Sequence, residues 1–322
     1  MADEPILQIR NLKKYFPVKG KKGVNLKAVD GINLDIMPGE TVGLVGESGC
    51  GKSTFGRTIL QLQSATQGEI LYKGENLVGY DAKKMRPFRQ KMQIIFQDPY
   101  ASLDPRKTIF DLVKAPLDSF QIGTETERRE KVKKMLTFVG MGEYQFYKMP
   151  HELSGGQRQR VVIARAMILN PEFIVCDEPV SALDVSVRSQ VLNLMKDAQK
   201  ESGVSYLFIS HDMSVVRYLC DKVAVMYLGC LVEYGSKTEV FDHPLHPYTK
   251  ALLSAIPVPD VDAKRERIVL LGDVPSPMYP PSGCRFHNRC PYAKESCSQE
   301  GCADMRMVQP NHWVACPYME ET

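Results

Sequence analysis

A glycine-rich run between a predicted strand and a predicted helix constrains this chain more than any other part of its sequence. Segment 41–45 is short and mostly apolar and predicts a buried strand, while a helix is predicted from Lys52 to about Leu62. The turn between them has the pattern G-x-x-x-x-G-K-[ST], formed by Gly46, Glu47, Ser48, Gly49, Cys50, Gly51, Lys52 and Ser53 and followed by Thr54. A chain with this strand–turn–helix unit is expected to fold as an α/β protein.

The same pattern predicts an anion site at residues 46–54. Glycines let the backbone curl so that several N–H groups point inward, and the helix start adds positive potential. A lysine at the place of Lys52 reaches the β- and γ-phosphates of a nucleotide, and the hydroxyl of Ser53 is a ligand for Mg²⁺. The alternative, an ordinary glycine-rich turn, is disfavoured by the complete match in its expected context.

Polar residues also follow three other short apolar strands. Gln97 follows segment 92–96, Asp177 and Glu178 follow segment 173–176, and His211 follows segment 206–210. Parallel sheets bind ligands beyond the carboxyl ends of their strands, so we expect all four near the phosphates. Asp177 is the candidate Mg²⁺ ligand and Glu178 the candidate that polarises the attacking water. Taken singly, each has an ordinary alternative, as a strand-end acid, a surface residue or a helix cap.

Composition narrows the class of protein. The chain has 322 residues, 43% of them apolar and 25% charged, which suggests a soluble globular protein of about two domains. Its net charge of +3 is too weak to indicate a nucleic-acid binder. No apolar run approaches the ~20 residues that span a bilayer, and the acidic start does not resemble a signal peptide. We therefore expect a cytosolic chain.

A pentapeptide upstream of the strand that precedes Asp177 indicates a specific class of protein. Its sequence is Leu153-Ser154-Gly155-Gly156-Gln157. It is identical to the signature of ATP-binding-cassette (ABC) ATPases, and the resemblance covers residues 5–240. It implies a P-loop (RecA-like) nucleotide-binding core with an antiparallel β subdomain and a helical subdomain at about 98–157. The ligands implied are ATP and Mg²⁺, the metal being held by Ser53, Gln97 and Asp177. Phe16, or Tyr15 beside it, resembles the aromatic residue that stacks on adenine; alternatively it is a strand residue without that role.

The signature predicts a second anion site. Ser154, Gly155 and Gly156 open a helix predicted over 156–169, so their N–H groups and the helix dipole favour a bound anion, and Gln157 completes the motif. In the resembled family this site serves the γ-phosphate held by a partner subunit. The resemblance therefore implies a head-to-tail dimer that closes on two ATP molecules and opens after hydrolysis.

Two further segments, 97–106 and 243–253, are similar to the peptide-importer branch of that family. This implies an ATPase at the cytoplasmic face of a bacterial membrane, with residues 1–240 as its ATPase domain and 241–322 as an extension. Its partners would be two transmembrane permease subunits, a second homologous ATPase subunit and, indirectly, an extracytoplasmic peptide-binding protein. Nickel and oligosaccharide importers remain alternatives, as do a soluble ABC protein acting on nucleic acid or ribosomes and a non-hydrolysing subunit.

Cysteines crowd near the C-terminus, where five of the nine lie within 33 residues. Cys284, Cys290, Cys297 and Cys316 have the spacing C-x₅-C-x₆-C-x₁₈-C, which by itself does not distinguish Zn²⁺ from an iron–sulfur cluster. For zinc, His287 and His312 are possible replacements for a sulfur. The resemblance favours a [4Fe–4S] cluster and thus a C-terminal metal-binding extension. Cys302 is a fifth thiol that this pattern does not require; it is either a spare thiol or an alternative ligand in place of Cys297.

Overall fold

The computed structural model describes residues 4–256, 268–270, 272–299 and 303–319. They form an α/β protein with two compact units: unit 1 comprises Met1–Gly79 and Phe208–Thr322, and unit 2 comprises Tyr80–Leu207. The strands, in chain order, are β1 (Leu7–Pro17), β2 (Asn25–Ile36), β3 (Thr41–Val45), β4 (Gln67–Tyr72), β5 (Glu75–Asn76), β6 (Met92–Ile95), β7 (Phe173–Asp177), β8 (Ser205–Ile209), β9 (Lys222–Tyr227), β10 (Cys230–Ser236), β11 (Arg306–Gln309) and β12 (His312–Val314). The α-helices are α1 (Lys52–Ile59), α2 (Ala82–Lys91), α3 (Ile109–Phe120), α4 (Glu125–Phe138), α5 (Gly155–Met167), α6 (Val185–Ser202), α7 (Met213–Leu219), α8 (Lys237–Asp242) and α9 (Pro247–Ser254).

The first part of unit 1 is an antiparallel sheet with the strand order β2-β1-β4-β5. Its register pairs Leu7 with Ile36 on one side and with Tyr72 on the other. Leu7 and Ile9 are fully buried while the residues between and after them are partly exposed, as a sheet with one covered face requires. β1, β2 and β4 therefore form the antiparallel β subdomain that the resemblance implies.

A second sheet in unit 1 places the glycine-rich turn. β3 runs parallel to β9, and β10, β12 and β11 continue the sheet in antiparallel pairs. Val42 and Leu44 are fully buried. A Cβ on Gly43 would lie 2.7 Å from Cγ1 of Val216, so α7 packs directly against β3. The buried strand predicted at 41–45 is thus held on its neighbours, and the turn after Val45 starts from a fixed point.

The last described residues also belong to this sheet. β12 pairs with β10, so that Glu233 faces Val314 and Gly235 faces His312. Val314 is completely buried and Phe286 is 1% exposed. Strand pairing and apolar burial therefore hold these C-terminal residues within unit 1.

Unit 2 combines parallel strands with a group of helices. β6 and β7 pair in parallel, with Met92 opposite Phe173. A capping box begins α4: the Thr124 side chain accepts the N–H of Glu127, whose carboxylate accepts the N–H of Thr124. The chain leaves unit 2 within β8. In the part of the chain that the structure describes, no helix combines the length and apolar character needed to cross a bilayer.

Candidate functional site

The turn after β3 has a backbone that only glycine fits at two positions. Gly46 and Gly51 have φ values of 152° and 108°. A Cβ on Gly46 would lie 2.1 Å from the carbonyl oxygen of Met226, and one on Gly51 would lie 2.0 Å from that of Ala28. Both positions combine left-handed backbone with a close approach to a neighbouring strand. The two glycines of the pattern therefore fix the path of the loop.

Lys52 lies beneath the loop and is 5% exposed. Its Nζ donates to the carbonyl oxygens of Gly46, at 2.8 Å, and Glu47, at 2.9 Å. Nζ also lies 3.8 Å from Cys50 Sγ, so each of its recorded hydrogen-bond partners is an uncharged group of the loop itself. The loop therefore has a buried cation ready for an anionic ligand.

The remaining loop residues differ in exposure. Ser48 and Gly49 are exposed, Ser53 and Thr54 are half-buried, and Cys50 is buried. Burial raises the pKa of the Cys50 thiol, while the nearby ammonium of Lys52 acts in the opposite direction. The loop therefore has polar groups at its exposed rim. The Cys50 thiol is buried, and its raised pKa keeps it protonated.

Glu47 is held by two residues from beyond position 240. Its N–H donates to the Tyr248 hydroxyl at 2.8 Å. Its carboxylate accepts two N–H groups of Arg289, at 2.8 and 3.1 Å, and this pairing raises the pKa of the Arg289 guanidinium. The sequence interpretation assigned neither Tyr248 nor Arg289. A basic residue beside the C-terminal cysteines was the available signal, but nothing local connects it to position 47.

The two candidate adenine-stacking residues, both in unit 1, have different surroundings. The Tyr15 hydroxyl donates to Asp30, and burial together with this bond raises the pKa of Tyr15. The half-buried Phe16 ring has the Lys14 ammonium 4.8 Å from its centroid. Successive strand residues face opposite sides of a sheet, so the two rings cannot share one role. Because Tyr15 is bound to Asp30, Phe16 is the better candidate.

His211 is exposed at the end of β8, between two residues that form backbone-directed bonds. The N–H of Ser210 donates to the carbonyl oxygen of Leu44 in β3, at 3.1 Å. Asp212 caps α7 by accepting the N–H groups of Ser214 and Val215. These bonds fix the backbone on both sides of His211 at the carboxyl end of its strand.

In unit 2 the structure brings Gln97 and Glu178 together. Asp177 ends β7 and is 1% exposed, while Glu178 is half-buried and has φ of 48°. Gln97 Nε2 donates to Glu178 Oε2 at 3.1 Å. A left-handed, non-glycine residue next to a buried acid is typical of a functional site. The strand-end rule therefore paired two side chains that lie 81 positions apart.

The signature residues form the N-terminus of α5. Ser154 is the N-cap: its Oγ accepts the N–H of Gln157 at 3.3 Å, and Gln157 Oε1 accepts the N–H of Ser154 at 3.0 Å. Gly155 begins the helix, one residue before the predicted start. A Cβ on Gly156 would lie 2.2 Å from Cγ1 of Val187, so the starts of α5 and α6 are in close contact.

The same helix holds the segment that follows Gln97. The Arg158 guanidinium lies 5.5 Å from the centroid of the exposed Tyr100 ring. Arg165 donates to the carbonyl oxygen of Ser102, and burial lowers the pKa of Arg165. Within unit 2, the segment after Gln97 is therefore in direct contact with helix α5, which begins at the signature.

The predicted metal cluster is not supported. Among the described residues, no group of three or more His, Cys, Asp or Glu side chains is placed to hold a metal ion, although Cys284, Cys290, Cys297 and Cys316 are all described. Cys302 lies outside the described residues. The described side chains therefore do not support a [4Fe–4S] cluster or Zn²⁺, although Cys297 and Cys316 lie close enough to Cys290 to help raise the pKa of its thiol, which burial raises most.

The histidines of the zinc alternative have other contacts. His312 Nε2 lies 2.7 Å from Glu233 Oε1, and His287 Nδ1 lies 2.7 Å from the carbonyl oxygen of Cys284. The tail is packed by other means: the Phe286 ring lies 5.3 Å from that of Tyr227 and 5.4 Å from that of Tyr248. Aromatic packing therefore contributes to the order of this tail.

Two family comparisons match the chain. Residues 29–181 match the family described as "ABC transporter". Residues 232–297 match the family described as "Oligopeptide/dipeptide transporter, C-terminal region". The second match covers Glu47's partner Arg289 and three of the four clustered cysteines, Cys284, Cys290 and Cys297.

Full-length relatives and solved structures are also similar. The oligopeptide transport ATP-binding protein AppF of Bacillus subtilis is 51% identical over 97% of each chain. The dipeptide transport ATP-binding protein DppF of Haemophilus influenzae is 50% identical over 92% of this chain and 91% of its own. A dimeric post-hydrolysis structure of the cassette MJ0796 with ADP and Pi has a TM-score of 0.66 at 29% identity, covering 72% of this chain and 98% of that one. The cbiO1 protein of Clostridium perfringens gives the same score and identity over 74% and 92%.

Proposed function

Because this chain belongs to the ATP-binding proteins of ABC transporters, we propose that it binds and hydrolyses ATP to energise the import of dipeptides or oligopeptides. The observation that carries the proposal is the 51% identity to an oligopeptide transport ATP-binding protein over 97% of both chains. The buried Lys52 under a glycine-fixed loop and the Gln97–Glu178 pair supply the chemistry that such a protein needs.

In this proposal the loop residues bind the phosphates. The backbone of 46–54, including Gly46, Ser48, Gly49, Cys50 and Gly51, surrounds the phosphate chain, while Lys52 neutralises the β- and γ-phosphates and Thr54 follows on the helix. Phe16 stacks on the base. Each of these residues lies in unit 1.

The acids and their neighbours act on the metal and the water. Bound Mg²⁺ supplies neutralisation of charge on the phosphates, and its protein ligands are Ser53, Gln97 and Asp177. Glu178 accepts a proton from the attacking water, and His211 donates a hydrogen bond towards the γ-phosphate. Gln97 holds the Glu178 carboxylate by the observed hydrogen bond.

The signature acts on a second chain. We assign Ser154, Gly155, Gly156 and Gln157 to the γ-phosphate of a nucleotide held by the partner ATPase subunit, which is either a copy of this chain or a homologue. Closure of that dimer drives two transmembrane permease subunits, and an extracytoplasmic binding protein delivers the peptide. The chain acts at the cytoplasmic face of the membrane, with 1–240 as ATPase domain and 241–322 as extension.

An import assay tests the proposal. The chain is co-purified with its permease subunits and partner ATPase, reconstituted in vesicles with the peptide-binding protein, and supplied with labelled dipeptides and longer peptides. We expect ATP-dependent peptide uptake that Lys52→Ala abolishes. Uptake of nickel or an oligosaccharide without peptide would contradict the substrate class, and failure to co-purify with any permease would contradict transport.

The [4Fe–4S] cluster and its zinc alternative do not form part of this proposal, since the described residues show no group placed to hold a metal. The visible spectrum and the iron and zinc content of anaerobically purified protein test that exclusion. Stoichiometric iron or zinc that is lost in Cys290→Ser would overturn it.

A further inference from the structure

The carboxylate of Glu47, the first residue after Gly46 in the phosphate loop, is paired with Arg289. Both terminal nitrogens of the guanidinium contact it, at 2.8 and 3.1 Å, and Arg289 Nη1 also lies 3.5 Å from the Tyr227 hydroxyl. The Arg289 and Glu47 side chains are only 8% and 27% exposed. The partners are 242 positions apart, so the folded tail creates this contact.

The backbone of the same residue is held as well. The N–H of Glu47 donates to the hydroxyl of Tyr248, which is fully buried. The Tyr248 ring packs against Tyr227 and Phe286, with centroids 4.8 and 5.4 Å away. Arg289 and Tyr248, both from positions 241–322, therefore bind Glu47 directly. Phe286, from the same segment, packs against Tyr248.

Glu47 also connects the tail to the loop lysine. Its carbonyl oxygen accepts Nζ of Lys52 at 2.9 Å. A change in the orientation of Glu47 therefore moves a hydrogen-bond acceptor of the cation that the phosphates need. The sequence pattern itself leaves position 47 unconstrained, so this contact is additional to the general requirements of a phosphate loop.

The ion pair is poorly explained as a device for stability alone. Burying a guanidinium costs free energy that its partner offsets only when every hydrogen-bonding group is satisfied. Arg289 Nε is buried without a hydrogen-bond partner among the described residues. The free-energy cost of burying the Arg289 guanidinium is therefore better explained by its effect on the orientation of Glu47.

We infer that Arg289 and Tyr248 are positioning residues of the phosphate loop, so that the affinity for the triphosphate chain of a nucleotide depends on the packing of segment 284–290 against Glu47 and Tyr248 within unit 1. They hold Glu47 in the orientation in which its carbonyl oxygen accepts Lys52 Nζ. The inference rests on the proposed function, since it requires that the loop bind ATP. Linkage makes the effect reciprocal: bound nucleotide stabilises the docked segment.

Nucleotide binding by matched variants tests this. Dissociation constants for a fluorescent ATP analogue and the KM and kcat of ATP hydrolysis are measured for the chain, for Arg289→Gln, Arg289→Lys and Glu47→Gln, and for the double variant. Arg289→Gln is expected to raise Kd and KM about tenfold with kcat within about twofold. Arg289→Lys is expected to restore part of the affinity, because an ammonium keeps the charge but not the bidentate geometry. The double variant should be no weaker than either single one.

Arg217→Gln is the control, because it removes an exposed ion pair to Asp242 in the same unit that does not touch the loop. If Arg289→Gln fails to fold, Tyr248→Phe replaces it, since this change removes only the hydroxyl that accepts the Glu47 N–H. Hydrogen exchange supplies a readout independent of turnover: nucleotide should slow exchange in 284–290 of the parent chain and less so in Glu47→Gln.

The outcomes separate the two claims. A parent chain that binds no nucleotide overturns the proposed function and this inference with it. A parent that binds while Arg289→Gln and Tyr248→Phe bind equally well overturns the inference alone. An equal loss of affinity in Arg217→Gln would also overturn it, because the effect would then be general destabilisation.

Discussion

Glu178 shows how one residue can be shaped for chemistry. It follows the buried Asp177, has a left-handed backbone at φ 48°, and accepts a hydrogen bond from Gln97. The Ser181 hydroxyl donates to its carbonyl oxygen at 3.1 Å, which fixes the backbone after the turn. The left-handed backbone costs roughly 1–3 kcal/mol, and it aims the carboxylate at the amide of Gln97.

Glu178→Gln should abolish most of the hydrolysis and leave nucleotide binding intact. The amide has the size of the carboxylate and can still bond to Gln97, but it cannot accept a proton from water. We expect the single-turnover rate to fall by about 10²–10⁴-fold, measured by quenched flow with MgATP. Glu172→Gln, a carboxylate-to-amide change just before the same strand, should hydrolyse ATP normally. A parent-like rate in Glu178→Gln would remove this residue from the mechanism.

His246 should make folding stability depend on pH. Its ring Nδ1 accepts the N–H of Tyr248 at 3.1 Å, and burial lowers the pKa of His246 to about 4 although Glu233 acts in the opposite direction. Below about pH 6.5 the unfolded chain binds a proton that the folded chain does not bind until near pH 4. The free energy of unfolding contributed by this group is therefore fully present above about pH 6.5 and falls as the pH drops.

Urea unfolding measures the effect. Between about pH 7.5 and 5 the parent chain should lose about 2 kcal/mol more of its free energy of unfolding than His246→Asn loses. The side-chain carbonyl of the asparagine can still accept the Tyr248 N–H, but it does not titrate. If both chains lose stability in parallel over this range, His246 does not carry the dependence.

At the scale of helices and strands, local signals predicted the structure well. The buried strand β3, the glycines after it and the start of α5 at the signature are each encoded in fewer than about ten consecutive residues. The sequence also placed Gln97 and Glu178 near each other, because strand ends in a parallel sheet meet at one edge. It did not predict the pairing of β12 with β10, since no local period encodes the register of strands so far apart.

Gly156→Ala should separate α5 from α6. The added Cβ would lie 2.2 Å from Cγ1 of Val187, a β-branched side chain that cannot rotate freely in a helix. We expect a destabilisation of about 1–3 kcal/mol in urea unfolding. Gly155→Ala is the matched control, because its Cβ would meet only Leu183 Cδ2 at 3.9 Å. Adding Val187→Ala should recover stability lost in Gly156→Ala; no recovery would place the cost elsewhere.

At the scale of the whole chain, contacts between residues far apart in sequence determine how the C-terminal tail is packed. The crowded cysteines predicted a metal site, but the described tail is packed through Phe286, Val314 and the Arg289–Glu47 pair. Spacing in sequence predicted which thiols lie near one another, but it did not predict that Arg289, between them, pairs with Glu47. The phosphate loop was predicted because its chemistry lies in consecutive residues, whereas the partners of Glu47 lie about 200 positions or more away.

The signature also makes a prediction about assembly. Ser154→Asp keeps a side-chain oxygen that can cap α5, since aspartate is a good N-cap, but adds a negative charge where a second subunit's γ-phosphate would bind. With MgATP, Glu178→Gln protein should form dimers, alone or with its homologous partner subunit, detected by light scattering after gel filtration. The added Ser154→Asp should weaken this association at least about tenfold without changing the binding of ATP to the monomer.

Thr124→Asp is the matched control, because Thr124 caps α4 through the same reciprocal pair of hydrogen bonds. Like Ser154→Asp, it adds one negative charge at an exposed helix start, but the signature plays no part there. Association that is lost equally in both variants would point to net charge rather than the signature. Association that survives Ser154→Asp would show that α5 does not contact the partner's nucleotide, because a carboxylate beside a triphosphate repels it at any separation within the Debye length of about 8 Å.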